Sequence, residues 1–362
     1  MPVREFVQSD IPEVANLYWN HLGTRSGTPP SELHAAFADL YFSNPLSNGD
    51  SPSYVYRNSG GDLVGFIGMT TRRMWLSGEE IRVGVGGNFV VHPSARSGLA
   101  APRLLSAVLN GSQDILLTDS ANDLSRPVLE RVGFTILPGL NIHWSRPLRP
   151  CQYVTYLLSR RMKPAIGALL RTFAKPFCFA LDSIPSPWKS VPDSTVPLSS
   201  SELTSEALHQ CLVEFGNGQV LRPDYDAASL QWLMDFMERN HKRGALQALL
   251  LRDETGKIAG WYIYYAKRGA VGEVVQVRGT REAFQDVLGH LFLHARANGV
   301  VGLHGQVDFE RIADYSDAGC IFSCRGGWVL AYSRRPELIK VLQSGHVSLT
   351  RLDGEWCLNP GE

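Results

Sequence analysis

The chain has no excess of charge of either sign, because 35 lysine and arginine residues balance 35 aspartate and glutamate residues among 362. Nucleic-acid binders and proteins held to anionic membranes need a basic excess, so this balance argues against both classes of general binder. The sequence has no apolar run of the 18 to 20 residues that a membrane span requires. Its amino-terminal stretch carries acids and no unbroken apolar core, unlike a signal peptide. We expect a cytoplasmic protein without stable membrane insertion, and an oligomer is compatible with the sequence.

Regularly spaced cysteines are missing too. The six cysteines are scattered, and the closest two, Cys320 and Cys324, lie in a strand-like stretch. This spacing fits neither a disulfide framework nor paired zinc ligands. His290 and His294 have the i, i+4 spacing of metal ligands, but no glutamate adjoins either one. We therefore predict no metal site.

Length and element order indicate two domains. A chain of 362 residues with 44% apolar residues is too long for one ordinary core. Both halves show strand, hairpin, strand, helix and strand in the same order, which predicts a duplicated α+β fold. We expect an amino-terminal domain over residues 1–148, a connector over residues 149–197 and a second domain over residues 198–362.

The connector is basic and proline-rich at its ends. We interpret it as a helical interdomain segment with a flexible tail. A basic amphipathic membrane helix is the alternative, because basic side chains alternate with apolar residues along it; these are Arg160, Arg161, Lys163 and Arg171.

The most informative stretch is residues 83–105, VGVGGNFVVHPSARSGLAAPRLL. An apolar strand ends at His92-Pro93, small residues follow, and a helical pattern begins near Pro102. A strand that restarts as a helix after a small-residue turn leaves backbone N–H groups unpaired at the positive end of the helix dipole. Small side chains allow close approach to that backbone, so the stretch predicts a diphosphate-binding loop.

These residues resemble the GNAT superfamily of acyl-CoA-dependent N-acyltransferases. In that family a splayed strand ends in Val-His-Pro, here Val91 to Pro93, and an Arg/Gln-x-x-Gly-x-Gly/Ala loop opens the helix that holds the CoA diphosphate. A downstream strand, an Asn-containing turn and a helix ending in Gly-Phe match ILLTDSAND and RPVLERVGF. The resemblance covers residues 1–146 and implies two tandem GNAT-like domains, each a mixed, mainly antiparallel sheet flanked by helices. Similar two-copy proteins include mycothiol synthase-like acetyltransferases and FemABX-like aminoacyl transferases.

The resemblance implies where acyl-CoA, most simply acetyl-CoA, binds as co-substrate. The expected CoA-binding residues are Phe89, Val90, Val91, Arg96, Ser97, Gly98, Leu99, Ala100, Ala101 and Asn122. The loop can be aligned with the family pattern in two registers, and it departs from the pattern in both. In the register that begins at Arg96, Leu99 occupies the first glycine position. Asn122 either contacts the pantetheine arm or caps the following helix.

The family's usual acid and base are absent. The strand before the loop, residues 83–91, contains no carboxylate, and Leu129 occupies the position of the usual tyrosine. The remaining candidates are Asn88, the only polar side chain on that strand, Asp119 as a base, and Ser120 as the group that protonates the thiolate. Asp123 and the hairpin acids Glu79 and Glu80 are other candidate bases, and each is also explained as a turn residue.

Two functions of different classes follow. The first is an N-acyltransferase that moves a short acyl group from CoA to the amine of a small metabolite or amino sugar. The second is a GNAT-like binding or scaffold protein without turnover, which the missing base and tyrosine favour. Transfer from aminoacyl-tRNA, as in FemABX-like enzymes, needs a basic groove, and the neutral charge balance weighs against it.

Overall fold

The computed structural model describes residues 2–22, 26–47, 51–184, 197–216, 219–324, 327–344, 347 and 349–360. The proline-rich tail expected in the connector falls largely on residues 185–196, which lie outside the described residues. In the described part of the chain, no helix is long and apolar enough to cross a membrane.

The elements follow one another along the chain in an alternating α+β order. They are β1 (Val3–Glu5), α1 (Ile11–His21), α2 (Ser31–Phe42), β2 (Tyr54–Arg57), β3 (Leu63–Leu76), β4 (Glu79–Val91), α3 (Ala100–Leu109), β5 (Ile115–Ala121), α4 (Arg126–Arg131), β6 (Thr135–Ile136), β7 (His143–Pro147), α5 (Pro150–Ser159), α6 (Pro164–Ser183), β8 (Ser199–Glu202), α7 (Ser205–Phe215), β9 (Leu221–Pro223), α8 (Ala227–Glu238), β10 (Ala245–Arg252), β11 (Ile258–Ala266), β12 (Val271–Gly279), α9 (Phe284–Ala297), β13 (Gly302–Gln306), α10 (Ile312–Asp317), β14 (Ile321–Ser323), β15 (Trp328–Tyr332) and α11 (Pro336–Gln343).

The chain folds into two compact units that are not contiguous in sequence. Residues 1–139, 216–237 and 326–362 form the first unit, and residues 140–215 and 238–325 form the second. This grouping differs from the contiguous ranges 1–148, 149–197 and 198–362. The segment after β6 joins the second unit, and the carboxy-terminal segment returns to the first.

The first unit contains a sheet in the order β1-β2-β3-β4-β5-β15-β6, with β9 also paired to β3. Every neighbouring pair is antiparallel except β4 and β5, which are parallel and are connected through α3. Side chains of β3 point alternately to the two faces of the sheet. Phe66 packs with α1 and α2 on one face, and Ile67 packs with α3 on the other. Burial of Leu104, Leu105 and Val108 fixes the inner face of α3.

The second unit repeats this plan. Its sheet runs β14-β7-β13-β12-β11-β10-β8, and only β12 and β13 are parallel. The intervening helix α9 buries Leu288, Leu291 and Phe292 against aromatic residues of β11. Both sheets are therefore mixed and mainly antiparallel with flanking helices, as the sequence predicts.

Three local predictions from the sequence pattern are wrong. Residues 200–215 predict a helix from Ser200, but the helix starts at Ser205, because residues 199–202 pair with β10 and the Thr204 hydroxyl accepts the N–H of Ala207 as the helix cap. Residues 141–145 predict a final strand for the first domain, but β7 pairs with β13 and β14 in the second sheet. Residues 320–334 predict a pair of neighbouring strands, but β14 and β15 lie in different sheets.

Candidate functional site

A cavity opens in the first unit where β4 and β5 separate. Their parallel pairing extends only from Val83 opposite Ile115 to Val85 opposite Leu117. Beyond Val85, β4 has no partner strand on this edge among the described residues, and a cavity of about 170 Å³ lies in the gap. Its walls come from β4, β5 and the inner face of α3; they include Gly86, Gly87, Asn88, Phe89, Leu105, Val108, Thr118, Ser120, Ala121, Asn122, Leu129 and Glu355.

A β-bulge shapes the β4 wall of this cavity. Phe66 pairs with Val90 and Gly68 with Gly87, so β4 carries one more residue than β3 between these pairs. Asn88 lies in the bulge with φ of 53°, a left-handed conformation that asparagine tolerates better than most residues. Its side-chain amide donates to Tyr41 Oη at 2.7 Å. The bulge turns backbone amides of β4 out of the ladder and toward the cavity edge.

A carboxylate from the carboxy-terminal segment completes the site. Glu355 Oε1 accepts hydrogen bonds from Thr118 Oγ1 and Ser120 Oγ, both at 2.6 Å. Its Oε2 lies so close to Gly87 that a Cβ there would overlap it. Glycine at position 87 therefore allows the carboxylate to rest against the bulged strand.

The segment that carries Glu355 is fixed on both sides. Tyr225 Oη donates to Asp353 Oδ1 at 2.9 Å, and Tyr18 Oη donates to Asn359 Oδ1 at 2.7 Å. The backbone N–H of Trp356 donates to Asp119 Oδ1 at 3.0 Å. Such a network of partners holds a catalytic group at a defined position.

The two carboxyl groups of this site have perturbed acidities. Burial, followed by the charge of Asp119, raises the pKa of Glu355 to about 8, against the hydrogen bonds from Ser120 and Thr118. Burial also raises the pKa of Asp119, although the N–H of Trp356 opposes the shift. A carboxylate with a pKa close to neutral pH is suited to accept a proton from an ammonium group.

The loop before α3 has free backbone donors at a helix N-terminus. The N–H of Gly98 bonds to Ala95 O at 3.2 Å, whereas those of Ser97, Leu99, Ala100 and Ala101 have no hydrogen-bond partner among the described residues. A Cβ at Gly98 would meet only Ala95 O, at 3.5 Å, so the space above it is open. These donors and the dipole of α3 fit a diphosphate.

Basic groups adjoin the same loop. The rings of His21 and His92 lie 4.5 Å apart, edge to face. Burial, followed by the nearby His92 and Arg96, lowers the pKa of His21. Arg96 is held by a hydrogen bond from its Nε to Val91 O at 3.2 Å. The local potential therefore favours an anion.

Four of the sequence-predicted site residues line the cavity: Asn88, Phe89, Ser120 and Asn122. Asn122 also caps the next turn, because its Oδ1 accepts the N–H groups of Leu124 and Ser125. The loop residues 96–101 lie at the start of α3. Val90 is buried in the core that α1 and α2 form with the sheet, and Val91 is buried in the core that α3 forms with it.

The proposed bases from the sequence lie elsewhere. Asp119 is absent from the cavity wall and instead holds the segment that carries Glu355. Glu79 and Glu80 are exposed at the far end of β4, eight and seven residues from Gly87, which is roughly 25 Å along a strand. Asp123 accepts a hydrogen bond from Trp328 Nε1.

Sequence reasoning missed Glu355. It stands 234 residues after Ala121 in a short polar tail, and no local pattern connects that tail with β5. The only signal is indirect: the glycine pair Gly86-Gly87 on an otherwise apolar strand marks a place where another group approaches closely.

Structural comparison places this geometry among known folds. A GCN5-related N-acetyltransferase from Anabaena variabilis superimposes with a TM-score of 0.61, over 92% of this chain and 73% of that one, at 11% identity. The chain therefore shares the fold of that protein. A probable N-acyltransferase of unknown function from Enterococcus faecalis gives a TM-score of 0.58, at 11% identity over 91% of this chain and 71% of that one. Saccharomyces cerevisiae N-myristoyltransferase with bound myristoyl-CoA gives 0.55, at 11% identity over 91% of this chain and 79% of that one.

Comparison with protein-family models and with curated protein sequences gave no match. The likeness to these three proteins is therefore one of fold, at 11% sequence identity.

Proposed function

We propose that this protein is an acyl-CoA-dependent N-acyltransferase, with acetyl-CoA as donor and the amine of a small metabolite or amino sugar as acceptor. The observation that carries the proposal is the Glu355 carboxylate, which Thr118 and Ser120 hold against Gly87 at the mouth of the β4–β5 cavity. It supplies the carboxylate that residues 83–91 of β4 lack.

In this mechanism Glu355 accepts a proton from the incoming ammonium group, which frees the nitrogen lone pair for attack. A new C–N bond forms at the thioester carbonyl as the C–S bond breaks. Backbone N–H groups at the Asn88 bulge polarise the carbonyl oxygen, a role that needs no side chain.

Ser120 then returns the proton. Its hydroxyl bonds to Glu355 Oε1 and also lines the cavity, so it lies between the base and the leaving sulfur. Protonated Glu355 donates to Ser120 Oγ while the Ser120 hydroxyl proton passes to the departing thiolate. The proton taken from the ammonium group thus leaves on CoA, the second proton that the nitrogen loses as the amide forms is released to solvent, and Glu355 is regenerated as a carboxylate.

The donor would lie along the cavity with its diphosphate at the start of α3. The unpaired N–H groups of Ser97, Leu99, Ala100 and Ala101 bind the phosphate oxygens. The pantetheine arm occupies the gap between the strands, where it completes the broken β4 edge by hydrogen bonding. This arrangement directs the thioester toward Glu355.

The test combines binding and turnover. We expect acetyl-CoA to raise the melting temperature and to release free thiol when a panel of primary amines and amino sugars is added. Comparison of acetyl-CoA with propionyl-, octanoyl- and myristoyl-CoA would define the acyl length. Stabilisation without thiol release from any donor would support the alternative of a binding protein without turnover, and no stabilisation by any acyl-CoA would refute both.

A further inference from the structure

The helical pair α5–α6 carries an exposed apolar face, and this surface is not explained by acyl transfer. α6 buries only a narrow seam consisting of Gly167, Cys178 and Asp182. On the outer side, apolar residues recur every three or four positions, which places them on one stripe of the helix. These are Ile166, Leu169, Phe173, Phe177, Leu181 and the adjoining Ile184, each more than half exposed.

The exposure is large for a protein in water. Phe173 and Phe177 are 73% and 75% exposed, and they lie one turn apart. α5 adds Val154, Leu157 and Leu158 as further exposed apolar residues. A contiguous apolar patch of this kind marks a surface that another phase or molecule covers.

The charges of the pair have one sign. Residues 150–184 contain five basic side chains and a single acid, Asp182. The Asp182 carboxylate binds within the helical pair, since it accepts the N–H groups of Cys151 and Gln152 at the start of α5. None of the five basic side chains forms an ion pair with another described residue; they are Arg160, Arg161, Lys163, Arg171 and Lys175.

Three of these cations lie in the turn between α5 and α6. Arg160, Arg161 and Lys163 are exposed there, directly before the helix on which the stripe begins. Arg171 and Lys175 project from the other side of α6, since they lie roughly 140° and 180° around the helix from the centre of the stripe. The basic turn therefore adjoins the apolar stripe and contains no acid.

We propose that α5–α6 docks the protein on the surface of an anionic phospholipid membrane. The apolar stripe enters the interface, and Arg160, Arg161 and Lys163 contact the lipid headgroups beside it. The charge of the pair argues for a lipid surface over a second copy of this chain, since two copies would oppose like charges. The helices lie on the membrane and do not span it.

The test is sedimentation of the full-length protein with vesicles. We expect binding to phosphatidylcholine vesicles containing 30% phosphatidylserine, weaker binding in high salt, and little binding to phosphatidylcholine alone. Arg160→Gln with Arg161→Gln should weaken binding roughly 30-fold, given about 1 kcal/mol for each charge. Phe173→Ser with Phe177→Ser should weaken it at least as much.

Matched control variants remove the same kinds of side chain, two charged or two apolar, at positions outside α5 and α6. Arg131→Gln with Lys257→Gln removes two exposed charges away from the pair, and Phe309→Ser with Ile321→Ser removes two exposed apolar side chains. Both controls should bind vesicles like the unchanged protein. All these variants should keep thiol release on soluble substrates, so a failure of docking is separable from a failure of the proposed enzyme.

Two results would overturn the proposal. One is absence of binding to anionic vesicles in low salt. The other is a stable dimer that the Phe173 and Phe177 substitutions dissociate, because the stripe would then be an interface between copies.

Discussion

Replacement of Glu355 by glutamine isolates the carboxylate charge from its surroundings. A glutamine side-chain oxygen still accepts the hydrogen bonds from Thr118 and Ser120, so the shape of the site is kept. What is lost is the proton acceptor. General-base catalysis typically contributes 10²- to 10⁴-fold, and we expect the rate of thiol release to fall by about this factor while acetyl-CoA affinity is unchanged.

The pH dependence gives a second, sharper measurement. The base acts only when ionised, and burial beside Asp119 raises its pKa to about 8. The rate should therefore rise about tenfold for each pH unit up to pH 8 and level off above it, and this limb should vanish in Glu355→Gln. Glu80→Gln, an exposed acid on the same unit, is the matched control and should keep both rate and profile.

Stability supplies a readout that needs no acceptor. A carboxyl group whose pKa is raised by folding favours the folded state below its ordinary pKa of 4.5 and loses that advantage as pH rises toward 8. Glu355→Gln removes this cost, and each pKa unit corresponds to about 1.4 kcal/mol. We therefore expect it to stabilise the protein by about 5 kcal/mol at pH 9 and by less than about 1 kcal/mol at pH 5. The value at pH 9 corresponds to a melting temperature increase of roughly 10–20 °C. A variant that keeps more than a tenth of the activity with an unchanged pH limb would refute the assignment of Glu355 as the base.

Three further substitutions test the surroundings of this carboxylate and the loop. Gly87→Ala should displace the Glu355 carboxylate, because its Cβ would overlap Oε2, and should lower turnover at least tenfold with little loss of stability; unchanged turnover would contradict the placement. Asp119→Asn keeps an acceptor for the Trp356 N–H but removes the charge that raises the Glu355 pKa, so the acidic limb of the rate profile should move to lower pH by roughly one unit, measured in the same thiol assay. Gly98→Trp fills the open space over the loop and should weaken acetyl-CoA binding more than tenfold by calorimetry, whereas Gly139→Trp, at another open glycine, should not.

The sequence predicts those parts of the site that are local in the chain. The small-residue loop, the start of α3 and the apolar strand before it lie within 23 consecutive residues, so spacing alone indicates a strand, a turn and a helix N-terminus. Ser120 and Asn122 follow from the next strand and turn for the same reason. Their presence at one cavity depends only on β4 and β5 being neighbours.

The base escapes sequence reasoning because its position depends on pairing at long range. β15 inserts between β5 and β6, more than 200 residues after β5, and the tail beyond it brings Glu355 back to Thr118 and Ser120. Nothing in the residues of β15 specifies which sheet they enter. The same exchange explains why β7, placed in the first domain by sequence order, belongs to the second sheet.

The two units share a splayed parallel pair, but only the first has features that suit catalysis. After β12 the N–H of Thr280 bonds to Ala259 O, and the Thr280 hydroxyl accepts the N–H of Ala283, so this turn uses its polar groups internally. In the first unit the corresponding amides of Ser97, Leu99, Ala100 and Ala101 lack such partners among the described residues, and Gly87 provides space that an acid can approach. A duplicated fold needs free donors, an open strand edge and a carboxylate together before it can bind and use a thioester. The tail that supplies the carboxylate belongs to the first unit, so we expect substitutions in the turn after β12 to leave acetyl-CoA binding unchanged. If such substitutions abolished binding, acetyl-CoA would bind in the second unit and our placement would be wrong.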